Sequence, residues 1–113
     1  MNKKIIVVGS INNDLIINTS KFPHIGETIT GKGFMSVAGG KGANQAVAAA
    51  RLAGDAQHVS FIGAVGDDIF GEDLKKSLAT NGVNIDFVKT AYNTPTGTAV
   101  IVLYKGDNMI ILD

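Results

Sequence analysis

Apolar positions along the chain alternate between two kinds of pattern. Lys4–Gly9 is an unbroken apolar run of β-branched residues ending in glycine, as expected for a buried parallel strand. Short β-prone pieces follow at Leu15–Asn18, Glu27–Thr30 and Gly33–Val37, punctuated by Pro23, Gly26 and Gly31, and they predict a small meander. From about Lys41 to Leu52 the period becomes helical, with Ala43, Ala46, Val47 and Ala50 at i, i+3, i+4 and i+7. That stripe is almost all alanine, so the helix backbone can lie close to whatever it packs on. Gly54 supplies the stop.

The second half repeats the alternation. Val59–Val65 predicts another core strand, and Gly66-Asp67-Asp68 leads into a helix over about Ile69–Thr80. Phe70, Leu74 and Leu78 share its apolar face, Glu72 and Lys76 are spaced to pair at i, i+4, and Gly82 closes it. Ile85–Lys89 predicts a third strand. Thr96–Leu103 and Asn108–Leu112 predict a hairpin across Lys105-Gly106-Asp107. Strand–helix–strand repetition argues for a three-layer α/β core with an antiparallel flap attached. Met109–Leu112 is strongly apolar and runs directly into Asp113, which reads as part of a longer chain, since domains usually end in polar tails.

Charge and composition narrow the partners. The 113 residues carry ten Lys+Arg and ten Asp+Glu, a net charge of zero. No basic excess draws the chain onto nucleic acid or anionic lipid by long-range field. The absence of cysteine excludes disulfides and thiolate chemistry, and His24 and His58 stand far apart, so a metal site is not expected. The apolar run after Lys4 is far shorter than a signal-peptide core or a membrane span. The expected compartment is the cytoplasm. Glycine, at 14 residues, exceeds its average share of roughly 7% and sits at discrete turns between apolar runs.

Two of those turns carry candidate chemistry. Neither the P-loop nor the dinucleotide fingerprint fits: Gly40-Lys41 is followed by Gly42 where a hydroxyl is needed, and the first strand ends Gly9-Ser10-Ile11-Asn12 and enters another strand. What remains is Gly39-Gly40-Lys41-Gly42-Ala43-Asn44-Gln45, a glycine turn opening into the alanine-faced helix. It offers free N–H groups at a positive helix end, with Lys41 and Asn44 projecting from one side. The second cluster is Asn12-Asn13-Asp14, just past the first strand, where open α/β sheets place ligands. A carboxylate beside an amide suits a vicinal diol. The alternatives are an ordinary Asx turn at Asn12-Asn13-Asp14 and a helix start with a solvated Lys41.

Four motifs in order carry a resemblance: Gly9-Ser10-Ile11-Asn12-x-Asp14, Phe22-Pro23-x-x-Gly26-Glu27-Thr28, Gly39-Gly40-Lys41-Gly42-Ala43-Asn44-Gln45-Ala46, and Gly63-x-x-Gly66-Asp67-Asp68-x-x-Gly71. The chain resembles the first third of the ribokinase/PfkB family of carbohydrate kinases, in its ribokinase branch. The resemblance implies the N-terminal part of a three-layer α/β/α fold with a β lid from 15–38 and 96–112. It implies that Asn12 and Asp14 hold sugar hydroxyls, that Gly40, Lys41, Gly42 and Asn44 line the other side, and that Ala99 and Ile101 face the sugar from the lid. Plain packing of a hairpin face is the alternative for the last two. It further implies ATP, Mg2+ and a monovalent cation for the full-length enzyme, ribose or a related pentose as substrate, and a homodimer through the lids. The family's catalytic base and ATP-binding segments have no counterpart here, so the fragment alone is expected to be inactive. The rival reading is a non-catalytic sugar- or nucleoside-binding module. The loop at Gly54–His58 departs from the family by a few extra residues, without expected consequence for the site.

Overall fold

A computed structural model describes residues 3–54 and 58–113; the extra loop residues between Gly54 and His58 lie outside the described part. The elements are β1 (Ile5–Val8), β2 (Asn12–Asn18), β3 (Lys32–Gly39), α1 (Lys41–Ala53), β4 (Val59–Gly66), α2 (Ile69–Thr80), β5 (Val83–Asn84), β6 (Val88–Ala91), β7 (Thr98–Tyr104) and β8 (Asp107–Leu112). They form two sheets with no strand in common. The body sheet runs β1-β4-β5, with β6 also paired to β4, all parallel. The flap sheet runs β3-β2-β7-β8.

The core lies between one face of the body sheet and both helices. Val59, Phe61 and Val65 alternate onto that face of β4 and pack with Ala43, Ala46 and Ala50 of α1 and Leu74 and Leu78 of α2. Ala46 and Phe61 are fully buried. The alanine stripe thus does what its size allows, letting α1 settle closely on the sheet. α1 stops at Gly54, which adopts the left-handed conformation at φ 68°. α2 starts at Asp68, whose side chain accepts the Gly71 N–H.

Several sequence expectations are corrected. β1 is not a buried strand: Ile6 is 62% and Val8 72% exposed. It pairs only with β4, and among the described residues the helices cover one face of the sheet, leaving Ile6, Val8 and Ile62 on the other. The chain therefore supplies the sheet and one helical layer of the α/β/α arrangement. Glu27–Thr30 forms no strand; the Glu27 carboxylate closes its loop instead, bonding Lys21 Nζ at 2.6 Å and the His24 N–H at 3.1 Å. The single strand expected at Ile85–Lys89 is instead a turn between β5 and β6, with only Val88 and Lys89 in strand; the turn is held by Asp86 N–H to Asn84 Oδ1 (2.8 Å) and Val88 N–H to Ile85 O (3.0 Å). The Glu72–Lys76 pair does not form; among the described residues the ion pair is Lys21–Glu27.

The flap is antiparallel in its outer pairs, β2–β3 and β7–β8, but parallel at its centre, where β2 lies beside β7 from Asn13↔Thr98 to Asn18↔Leu103. The β7–β8 turn is tighter than expected. Lys105 (φ 47°) and Gly106 (φ 83°) form a two-residue loop with both φ positive, matching the twist of the flanking strands.

Candidate functional site

The site begins with backbone that only glycine permits. Gly40 sits at φ 97°, and a Cβ there would come within 2.6 Å of Ser10 O. A Cβ on Gly42 would lie 2.8 Å from Gly9 Cα. The start of α1 therefore rests directly on the chain leaving β1, and the Ala43 N–H donates to Ser10 O at 3.1 Å. No side chain among the described residues caps this helix end, so apart from the Ala43 N–H its first turn keeps a positive face.

This interlock brings the two polar clusters together. Asn12, Asp14, Gly40, Lys41 and Asn44 line one open concavity of about 560 Å³, and Ala99 and Ile101 line it from β7. Gly42 does not line it; it is buried against Gly9. Its glycine serves the close approach of helix to strand. Sequence reasoning missed Ser10, Ile110 and Leu112, which complete the wall. The hairpin register carries the last two: Ile101 pairs with Ile110 and Ala99 with Leu112, so each pair shares a face.

The Asx-turn alternative falls away, because Asn12, Asn13 and Asp14 are consecutive residues of strand β2. Alternation then separates their roles. Asn13 is buried on the opposite face, where its amide exchanges hydrogen bonds with Ser36 (Nδ2 to Oγ 3.0 Å, Oγ to Oδ1 3.2 Å). Asn12 and Asp14 face the concavity. Asp14 pairs in register with Ala99 across the parallel β2–β7 ladder, which sets the carboxylate beside an apolar wall. Burial pushes its carboxyl above the ordinary aspartate value.

Arranged this way, the site offers an acceptor carboxylate, two amides that both donate and accept, and one ammonium, backed by Ala99, Ile101, Ile110 and Leu112. Such a surface suits a small polyhydroxylated ligand with one apolar face. Its lining holds one carboxylate, Asp14, and among the described residues no three His, Asp or Glu side chains come together. Nor is any helix among them long and apolar enough to cross a membrane.

The chain belongs to the pfkB family of carbohydrate kinases, whose sequence model matches residues 2–113. It is 46% identical over 110 residues to the ribokinase of Bacillus subtilis (strain 168), covering 97% of this chain and 36% of that protein. It is 50% identical over 109 residues to the ribokinase of Lactococcus lactis subsp. lactis, covering 96% and 35%. Among solved structures it is similar to a ribokinase from Giardia lamblia, with a TM-score of 0.91 at 38% identity over 98% of this chain and 36% of that one. It is also similar to an Arabidopsis thaliana ribokinase complexed with ribose and ATP, with a TM-score of 0.87 at 39% identity, covering 100% and 36%. The chain thus spans about a third of the length of the relatives it matches.

Proposed function

We propose that residues 1–113 form the sugar-binding and lid portion of an ATP-dependent pentose kinase that converts ribose and ATP to ribose 5-phosphate and ADP. The observation that carries this reading is Asp14: a half-buried carboxylate in the concavity, with no hydrogen-bond partner for its side chain among the described residues. Desolvating a carboxylate without a partner is costly, and a ligand bearing two hydroxyl donors offsets that cost. In this role Asp14 accepts from the sugar hydroxyls, Asn12 and Asn44 donate and accept beside it, and Lys41 donates from the helix start. Ala99 and Ile101 press on the ring and exclude water.

Phosphoryl transfer breaks the bond from the γ-phosphorus to the ADP oxygen and forms one to the sugar's primary hydroxyl oxygen, whose proton passes to a base. It depends chiefly on positioning and on neutralising charge. This chain contributes the positioning of the acceptor. By resemblance, the base and the sites for ATP, Mg2+ and a monovalent cation belong to the rest of the enzyme. Dependence on ATP supports a cytoplasmic location. The outward face of the flap supports a homodimer through the lids, since Val100, Met109 and Ile111 leave apolar surface exposed there. A monomer in sedimentation of the full-length protein would remove that assembly.

Calorimetric titration of the full-length protein tests the main reading. Asp14→Ala is expected to weaken ribose binding about tenfold or more, the usual cost of losing a charge-assisted hydrogen-bonding partner, with ATP binding unchanged. Equal losses for both ligands would assign Asp14 to folding. Ribose binding without ribose-dependent ATP turnover would favour the non-catalytic module.

A further inference from the structure

The Gly66-Asp67-Asp68 turn has no part in the site described, yet among the described residues it makes four hydrogen bonds to Asn93 and Thr96, on the crossing that leads into the flap. The two sheets share no strand ladder, so the flap is attached where the chain crosses between them: around Gly9–Ile11, at Gly40, and over residues 92–97. The first two crossings are interlocked through glycine backbone. The third is fastened by side chains. Thr96 Oγ1 donates to Asp68 Oδ1 at 2.5 Å and accepts the Gly66 N–H at 2.9 Å. The Thr96 N–H donates to Asp68 Oδ2 at 2.9 Å, and the Gly71 N–H to Oδ1 at 2.9 Å. One carboxylate thus caps α2 and holds the root of β7. Thr96 is only 3% exposed. Gly66 must lack a side chain, because a Cβ would come within 2.5 Å of Thr96 N.

The next residues lead straight into the concavity. Gly97 O accepts the Asn13 N–H at 2.8 Å, and a Cβ on Gly97 would lie 2.8 Å from Asn12 Oδ1. Two residues further on, Ala99 stands beside Asp14. A shift at Thr96 is therefore transmitted to both polar and apolar walls. We infer that Asp68 and Thr96 are positioning residues of the acceptor site: they fix the root of β7 and thereby set Asn12, Ala99 and Ile101 around the substrate. The inference rests on the sugar-binding reading of that concavity.

The test compares wild type, Thr96→Ser and Thr96→Val in the full-length protein by steady-state kinetics, ribose titration and melting temperature. Thr96→Val keeps the shape and deletes the hydroxyl, so it is expected to raise the KM for ribose about tenfold while the KM for ATP stays within about twofold. Thr96→Ser, which keeps the hydroxyl, is expected to stay close to wild type. A lowered melting temperature with an unchanged KM for ribose would overturn the inference, as would equal rises in both KM values. Asp68→Asn carries the same split if Thr96→Val does not fold. Wild-type protein that fails to bind ribose at all would defeat the sugar reading, whereas normal wild-type binding without the split defeats the positioning role alone.

Discussion

The Asp14 carboxylate occupies the space that a side chain at Gly39 would fill. Gly39 is buried at the end of β3 and pairs in register with Asn12, two positions along the ladder from Asp14 and so on the same face. The glycine pair before α1 therefore has two separate duties. Gly40 permits a positive φ against the Ser10 backbone, and Gly39 leaves room for an acid on the neighbouring strand. The obstacle at Gly39 is the end of a rotatable side chain, whereas at Gly42 it is the Gly9 backbone.

That contrast predicts opposite phenotypes. Gly39→Ala is expected to displace Asp14 and weaken ribose binding about tenfold, the scale of one charge-assisted hydrogen-bonding partner, with little change in melting temperature. Gly42→Ala is expected to cost about 1–3 kcal/mol of stability by overpacking. Denaturant unfolding and ribose titration of both variants check this; the reversed pattern would contradict it.

Asp14 itself is expected to trade stability for binding. Burial raises its folded carboxyl above the unfolded value, so its stabilising contribution is present below the ordinary aspartate range and is lost as pH rises through the raised value. At neutral pH, Asp14→Asn should melt at or above the wild-type temperature while losing ribose affinity. In acid, where wild-type Asp14 is also neutral, the two melting temperatures should converge. A lower melting temperature for Asp14→Asn at neutral pH would show that the charge supports the fold.

Asp68 is expected to behave in the opposite sense. Hydrogen bonds from the Thr96 side chain and backbone, then from the Gly71 N–H, hold its carboxyl below the ordinary aspartate value. Its stabilising contribution is present above the unfolded value and is lost as pH falls through the depressed one. Asp68→Asn should therefore melt below wild type at neutral pH, with the gap closing in strong acid. Because the group is partly solvated the gap should be small; a gap that is constant with pH would exclude the charge as its source.

Local signals made much of this legible. The alanine stripe and Gly54 located α1, and Phe70, Leu74, Leu78 and Gly82 located α2, because capping and period are written within a few neighbouring residues. Long-range pairing is not written that way. Nothing near Asp14 indicates that its strand partner is Ala99, so the parallel centre of the flap was not foreseen. Apolar content foretold burial of β1, but burial depends on what covers each face, and Ile6 and Val8 are uncovered among the described residues. Residue type and spacing singled out the Asn12-Asn13-Asp14 cluster and the Gly39–Gln45 turn, the resemblance singled out Asn12 and Asp14 within the first, and the structure brings Asn12, Asp14, Lys41 and Asn44 to one concavity. Ile110 and Leu112 could have been found by extending the Ala99–Ile101 face across the hairpin, and Gly39 by asking which glycine tolerates an acid beside it.

The unpartnered state of Asp14 bears on how the proposed site would choose among sugars. A carboxylate already partly stripped of water gains little discrimination from attraction alone, since any polar ligand supplies some. A sugar lacking one of the hydroxyls it should receive would seal the acid against Ala99 and Ile101 with a lone pair unanswered. Buried groups left so discriminate more strongly than an added contact does. Rejection of the deoxygenated analogue, more than embrace of the correct one, is then the basis of selectivity at this end of the site.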